Sequence, residues 1–200
     1  VPTDPSLLAQ LERARTLGFL GPGPVEAHVT HAEAFLAALS TTAGLVIDLG
    51  SGGGVPGLVV GVSRPDLRVV LVEARGVRCR FLEDAVAALG LDGEVRHGRA
   101  EELGRSELRG TASAVVARGF GPPSATAECG APLLRVGGLL VVSEPPPPPQ
   151  PDRWPPAVGQ LGLERGARLG APAVQVLHQV SPCPDDFPRR PGVPAKRPLF

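Results

Sequence analysis

The sequence predicts an α/β domain with a mostly parallel, doubly wound sheet, and three observations predict it. Short, mainly apolar runs at 45–49, 69–72, 114–117 and 139–142, with a weaker one near Val95, have the length and composition of strands buried on both faces. Segments of helical periodicity separate them, and strand and helix alternating at this spacing form right-handed βαβ units. A glycine-rich stretch follows the first run directly, where a strand would turn into a helix.

Taken in order, the first 40 residues read as a short N-terminal helical cap of two helices. Asp4 before Pro5 supplies an N-cap with proline at the first helical position, Leu7, Leu8, Leu11 and Ala14 recur at helical spacing, and Gly18 ends the run. Beyond the turn at 21–24, Val25, Val29, Ala32, Leu36 and Leu39 keep one face of a second helix apolar. Residues 41–200 form the main domain. Its clearest helix runs from Val77 to Leu89, with Phe81, Leu82, Ala85 and Val86 on one stripe and Gly90 as its stop. The five prolines at 145–149 read as a stiff polyproline II loop between the fifth strand and a following helix. Ala173 to Val180 reads as a final strand, and 181–200 as an irregular C-terminal arm held by its last residues.

Composition bounds the function. A chain of 200 residues that is 42% hydrophobic makes one globular unit, and 20 Lys+Arg balance 20 Asp+Glu, so a strong nonspecific nucleic-acid binder is excluded and any such site is a local patch. Cys79, Cys129 and Cys183 are odd in number and widely spaced, which disfavours a disulfide framework or a cysteine metal site. His28 and His31 form the one close histidine pair but lack a compact third ligand, and no metal is expected. With no long apolar stretch and no leader pattern, the expected setting is the cytoplasm, without membrane attachment, and the expected state is a monomer.

The segment 46–57 contains G-x-G-x-x-G at Gly52, Gly54 and Gly57, and also D-x-G-x-G-x-G from Asp48 to Gly54. The first pattern suits a dinucleotide, whose pyrophosphate sits against backbone N–H groups at a helix start. A carboxylate at Asp48 opposes that anion but attracts the ammonium of S-adenosylmethionine, directly or through water, and therefore favours this cofactor over NAD. Glu73, at the end of the second strand, suits ribose hydroxyls in either case. Arg99, Ala100 and Glu101, after the third strand, would border the adenine.

These residues resemble the glucose-inhibited division protein B family of 16S ribosomal RNA guanine-N7 methyltransferases. The similarity covers about residues 45–199: the loop from Asp48 through Pro56 and Gly57, Val72-Glu73, Arg78-x-Arg80-Phe81-Leu82, 98–102, Val116-Ala117-Arg118, 132–138 and the ending 187–199. The resemblance implies a Rossmann-like class I methyltransferase using S-adenosylmethionine on 16S rRNA or the small ribosomal subunit. Cofactor residues are then Asp48, Gly50, Ser51, Gly52, Gly54, Pro56, Gly57, Glu73, Ala100 and Glu101. Two departures stand out. The N-terminal cap is short, and Ser143-Glu144 stands after the fifth strand where the family typically has lysine, which removes one cationic contact.

Methylation of guanine N7 needs no catalytic base, because the nitrogen attacks through a lone pair already in place; positioning supplies the catalysis. Arg118, at a strand's carboxyl end, would bind guanine edges or phosphate, or else form a structural ion pair. Phe120 would stack on an extruded base or plug the loop. Arg189, Arg190, Lys196 and Arg197 would hold RNA phosphates or remain a solvated tail. An NAD-dependent oxidoreductase and a non-catalytic ribosome-associated module are the alternatives.

Overall fold

A computed structural model describes residues 4–146 and 152–200; residues 147–151, with most of the proline run read above as polyproline II, lie outside them. The seven strands are β1 (Gly44–Leu49), β2 (Leu67–Glu73), β3 (Gly93–His97), β4 (Ala112–Ala117), β5 (Leu134–Ser143), β6 (Leu163–Leu169) and β7 (Val174–Gln179). They form one sheet of order β3-β2-β1-β4-β5-β7-β6. The first five pair in parallel, whereas β7 runs antiparallel to both β5 and β6.

Alternate residues along the central strands feed two cores. On one face Val46, Val69, Leu71, Ala114 and Val116 pack against α1 (Pro5–Thr16), α2 (Val25–Ala38), α3 (Gly57–Ser63) and α4 (Gly76–Leu89). On the other, Ile47, Leu49, Val70, Val72, Val115 and Ala117 meet Ala100 of α5 (Ala100–Leu103), Ala127 and Cys129 of α6 (Pro123–Gly130), and Trp154. This period-two division covers both faces of the sheet with helices, as continuous apolar strands require.

The helix signals act where the sequence places them. The Asp4 carboxylate accepts the N–H groups of Ser6 (2.7 Å) and Leu7 (3.1 Å), and Gly90 closes α4 in the left-handed region at φ +61°. The N-terminal helices do not perch on the fold: Leu7, Leu11, Ala14, Val29 and Phe35 belong to the same core as α3 and α4.

Two stretches differ from expectation. In place of a helix after the fifth strand, a 3-10 turn (Pro156–Leu161) leads into β6. That strand lies at the sheet edge with only Leu163 buried, so it has no apolar run to betray it; the antiparallel ladder to β7 holds it. The C-terminal arm carries a short helix, α7 (Val193–Lys196), and is densely bonded. Glu128 of α6, whose side chain is fully buried, accepts the Arg189 backbone N–H (2.8 Å) and its guanidinium (2.8 and 2.6 Å).

Arg189 is thus an anchor rather than a free cation for RNA. Arg189→Ala leaves a buried carboxylate without its partner, a change that costs about 3 to 5 kcal/mol. A correspondingly lower denaturant midpoint at neutral pH is the expected outcome, and an unchanged midpoint would remove the anchoring role.

Candidate active site

The strand order reverses between β1 and β4, which places the ligand crevice at their carboxyl ends. A cleft of about 820 Å³ opens there, lined by Gly50, Ser51, Gly52, Gly53 and Val55 of the glycine loop, by Arg118 and Phe120 after β4, and by Glu144 and Arg153 beyond β5. The N-terminal segment forms its far wall through Phe19, Leu20, His28 and His31.

The glycine loop is shaped by two carboxylates. Glu73 is buried and accepts the N–H groups of Gly52 (3.0 Å) and Arg75 (2.8 Å). Asp48 is buried beneath the loop and accepts the Gly57 N–H (3.0 Å). The strand end at Val72 accepts the amides of Gly50 and Ser51, and Ser51 accepts that of Gly54. A side chain at Gly57 would bring its Cβ to 2.5 Å from Asp48 Oδ2, and one at Gly50, already at φ +72°, to 2.7 Å from the Phe120 ring. Glycine at these positions lets a carboxylate and an aromatic ring close on the backbone.

The structure therefore divides the residues assigned to the cofactor. Gly50, Ser51 and Gly52 line the cleft, while Glu73 and Ala100 line an adjoining pocket of about 210 Å³ with Ala74, Gly98 and Phe120. Asp48, Gly54, Pro56 and Gly57 line neither pocket; they support the loop from behind, where the Asp48 carboxyl accepts the Gly57 N–H. Glu101 lines a third pocket of about 240 Å³ and accepts the Gly192 N–H of the C-terminal arm at 2.8 Å.

Burial pushes the Asp48 carboxyl up to about pKa 7, against the opposing effect of the Gly57 N–H bond. In the unfolded chain an aspartate titrates near 3.9, so between these values the folded state holds the extra proton. The stability this contributes is complete below about pH 4 and is lost as pH rises through 7. Asp48→Asn retains an acceptor for Gly57 and removes the titration. Its urea midpoint should vary less between pH 5 and 8 than that of the parent, and an equal dependence in both would exclude Asp48 as the source.

Arg118 is partly buried at the end of β4, and its Nη1 donates to His28 Nδ1 at 2.9 Å. His28 Nε2 then lies 3.2 Å from the Gly21 carbonyl, which assigns the ring proton to Nε2. Burial, and after it the charge of Arg118, hold the His28 pKa below its usual value, so the ring is neutral and able to accept at pH 7. Among the described residues Arg118 forms no ion pair of the kind considered above. A neutral imidazole orients it, and the buried Asp48 carboxyl acts on it only through space.

Several site residues escaped the sequence. His31 lines the same cleft, and its buried Nε2 has no partner among the described residues. Arg153 lines it as well, 3.4 Å from Glu144, whose other oxygen accepts the Trp154 indole N–H at 2.8 Å. Arg153 stands ten residues beyond Ser143, where β5 ends. Phe120 lines all three pockets and packs over Gly50, so its ring is a partition between them. Arg190, Lys196 and Arg197 line none of these pockets.

A mostly parallel seven-stranded sheet of this order, with a glycine loop after β1 and an acidic residue ending β2, defines a Rossmann-like class I methyltransferase. The antibiotic-resistance methyltransferase Kmr shares the fold at a TM-score of 0.57, with 20% identity over 75% of this chain and 93% of that one. Residues 25–144 match the family model described as GidB, rRNA small subunit methyltransferase G. Ribosomal RNA small subunit methyltransferase G of Moorella thermoacetica is 38% identical across 82% of this chain and 73% of its own length. The corresponding protein of Rubrobacter xylanophilus is 35% identical across 96% of this chain and 80% of its own. The chain belongs to the rRNA small subunit methyltransferase G family. Among the described residues no helix is long and apolar enough to cross a membrane.

Proposed function

We propose that this chain transfers a methyl group from S-adenosylmethionine to N7 of a guanine in 16S ribosomal RNA. The observation that carries this reading is Arg118, held by a neutral histidine and opening onto a cleft floored by the glycine loop. When bound, the cofactor supplies an electrophilic methyl group on a positively charged sulfur.

The residues present fit that cofactor better than a dinucleotide. The amides of Gly50, Ser51, Gly52, Gly54 and Gly57 are already engaged by carbonyl or carboxylate oxygens, so they form no nest for a pyrophosphate. The Glu73 carboxylate within the loop and, to the extent that it is ionised, the Asp48 carboxyl behind it suit a cation and repel a phosphate. The side chain of Glu73, facing the smaller pocket, is placed to accept ribose hydroxyls. Calorimetry should show binding of S-adenosylhomocysteine and none of NADH; the reverse would make the chain an oxidoreductase.

On the substrate side, Arg118 and His31 offer groups to the edge of a guanine, and Phe120 gives the base an apolar wall. A nitrogen that attacks through its lone pair needs only to be held in line at about 3 to 3.5 Å from the methyl carbon. The acid in the cleft lining, Glu144, is occupied by Trp154 and Arg153, in keeping with catalysis by positioning. Arg153 makes one long bond among the described residues and keeps donors for an RNA phosphate. Arg153→Ala should raise KM for the RNA with little change in kcat and lower the slope of log affinity against log salt by about one. An unchanged KM and salt slope would exclude that contact.

A further inference from the structure

The C-terminal arm follows the outer side of α5 and α6 and is fixed along its whole length. Arg105 donates to the carbonyls of Asp186 and Pro188, and Arg109 to those of Cys183, Pro184 and Phe187. Glu128 takes Arg189, Glu101 takes the Gly192 N–H, and Ser124 Oγ accepts the Leu199 N–H at 2.7 Å. A tail that serves only as a flexible collector of phosphates has no use for so many directional bonds. Their joint effect is to place Pro194 and Ala195 on the rim of the 240 Å³ pocket, opposite Ala74, Ala100 and Phe120. The same three residues line the 210 Å³ pocket that contains Glu73, so the two spaces adjoin.

We propose that the C-terminal arm is a wall of the adenine pocket: Pro194 and Ala195 close it against the base, and binding of the cofactor and ordering of the arm support each other. The proposal rests on the reading above that the cofactor's ribose lies at Glu73. From there the base extends into a pocket with apolar walls at Ala100, Phe120, Ala125 and Pro194. Glu101 supplies its polar edge. Gly192 and Arg99 both use Oε1 of that carboxylate, which leaves Oε2 to accept an exocyclic amine. One carboxylate thereby fastens the arm and reads the base, which ties the two events together.

Hydrogen exchange on the full chain, with and without S-adenosylhomocysteine, tests the coupling. The ligand should slow exchange at the amides of Gly192 and Leu199 as well as at Gly52 and Gly57 in the loop. Ala195→Trp provides the second test, because Ala195 is exposed and a larger side chain there leaves the core untouched. Crowding the pocket should weaken S-adenosylhomocysteine by about tenfold or more with an unaltered melting temperature. If the parent chain binds no S-adenosylhomocysteine, the cofactor reading itself fails. If it binds, but arm exchange does not change and Ala195→Trp binds equally well, the arm is only packing and the proposal is overturned.

Discussion

Replacing Arg118 with alanine is expected to lower kcat/KM for methyl transfer to ribosomal RNA by about 100-fold while leaving the affinity for S-adenosylhomocysteine within about twofold. The guanidinium sits at the carboxyl end of β4, is partly desolvated, and is fixed by His28 rather than neutralised by a carboxylate. A cation arranged in this way gives most of its electrostatic energy to an incoming ligand, and a hydrogen bond from it to a base edge or phosphate is of the charged, stronger kind. Lysine should not restore the rate, because it lacks the fork that meets two acceptors at once. His28→Ala should reproduce part of the defect, since it frees the guanidinium to leave its orientation. Radiolabel transfer and calorimetry on the same preparations separate the two affinities. Equal losses in both would place Arg118 in the cofactor site.

The second large effect is expected at Glu73, and it has the opposite signature. Glu73→Ala removes the acceptor of two amides, those of Gly52 and Arg75, and with it the side chain that lines the proposed ribose pocket. Each buried amide left without a partner costs about 1 to 3 kcal/mol, so the loop loses its shape and the cofactor its partner together. S-adenosylhomocysteine affinity should fall by about 100-fold or more, with a melting temperature lower by several degrees. Glu73→Gln keeps one acceptor oxygen and should lose about tenfold. Binding by the alanine variant within about threefold of the parent would show that Glu73 serves packing alone.

The central strands were legible because burial on both faces leaves no room for polar alternation, and Val46, Val69 and Ala114 announce themselves as such. Edge strand β6 was not, since six of its seven residues are at least partly exposed and its register depends on β7. Within the site, the sequence pointed to Asp48 and Glu73 as the significant acids, and their types and spacing were enough for that. Their roles needed the fold: one lies behind the loop and the other within it. The pairing of Arg118 with His28 spans 90 positions, and no local pattern reports it. Arg189 looked like a phosphate ligand for a similar reason, because Glu128 reads as an ordinary helix-surface acid until the fold buries it.

The most direct measurement incubates the purified chain with radiolabelled S-adenosylmethionine and small ribosomal subunits from a strain lacking this protein, then maps the label. The proposed function predicts incorporation at a single guanine that becomes sensitive to the borohydride and aniline cleavage specific for N7-methylguanine. Label on an exocyclic amine or a ribose, or tight cofactor binding with no label on RNA under any condition that supports the parent strain's modification, would contradict it.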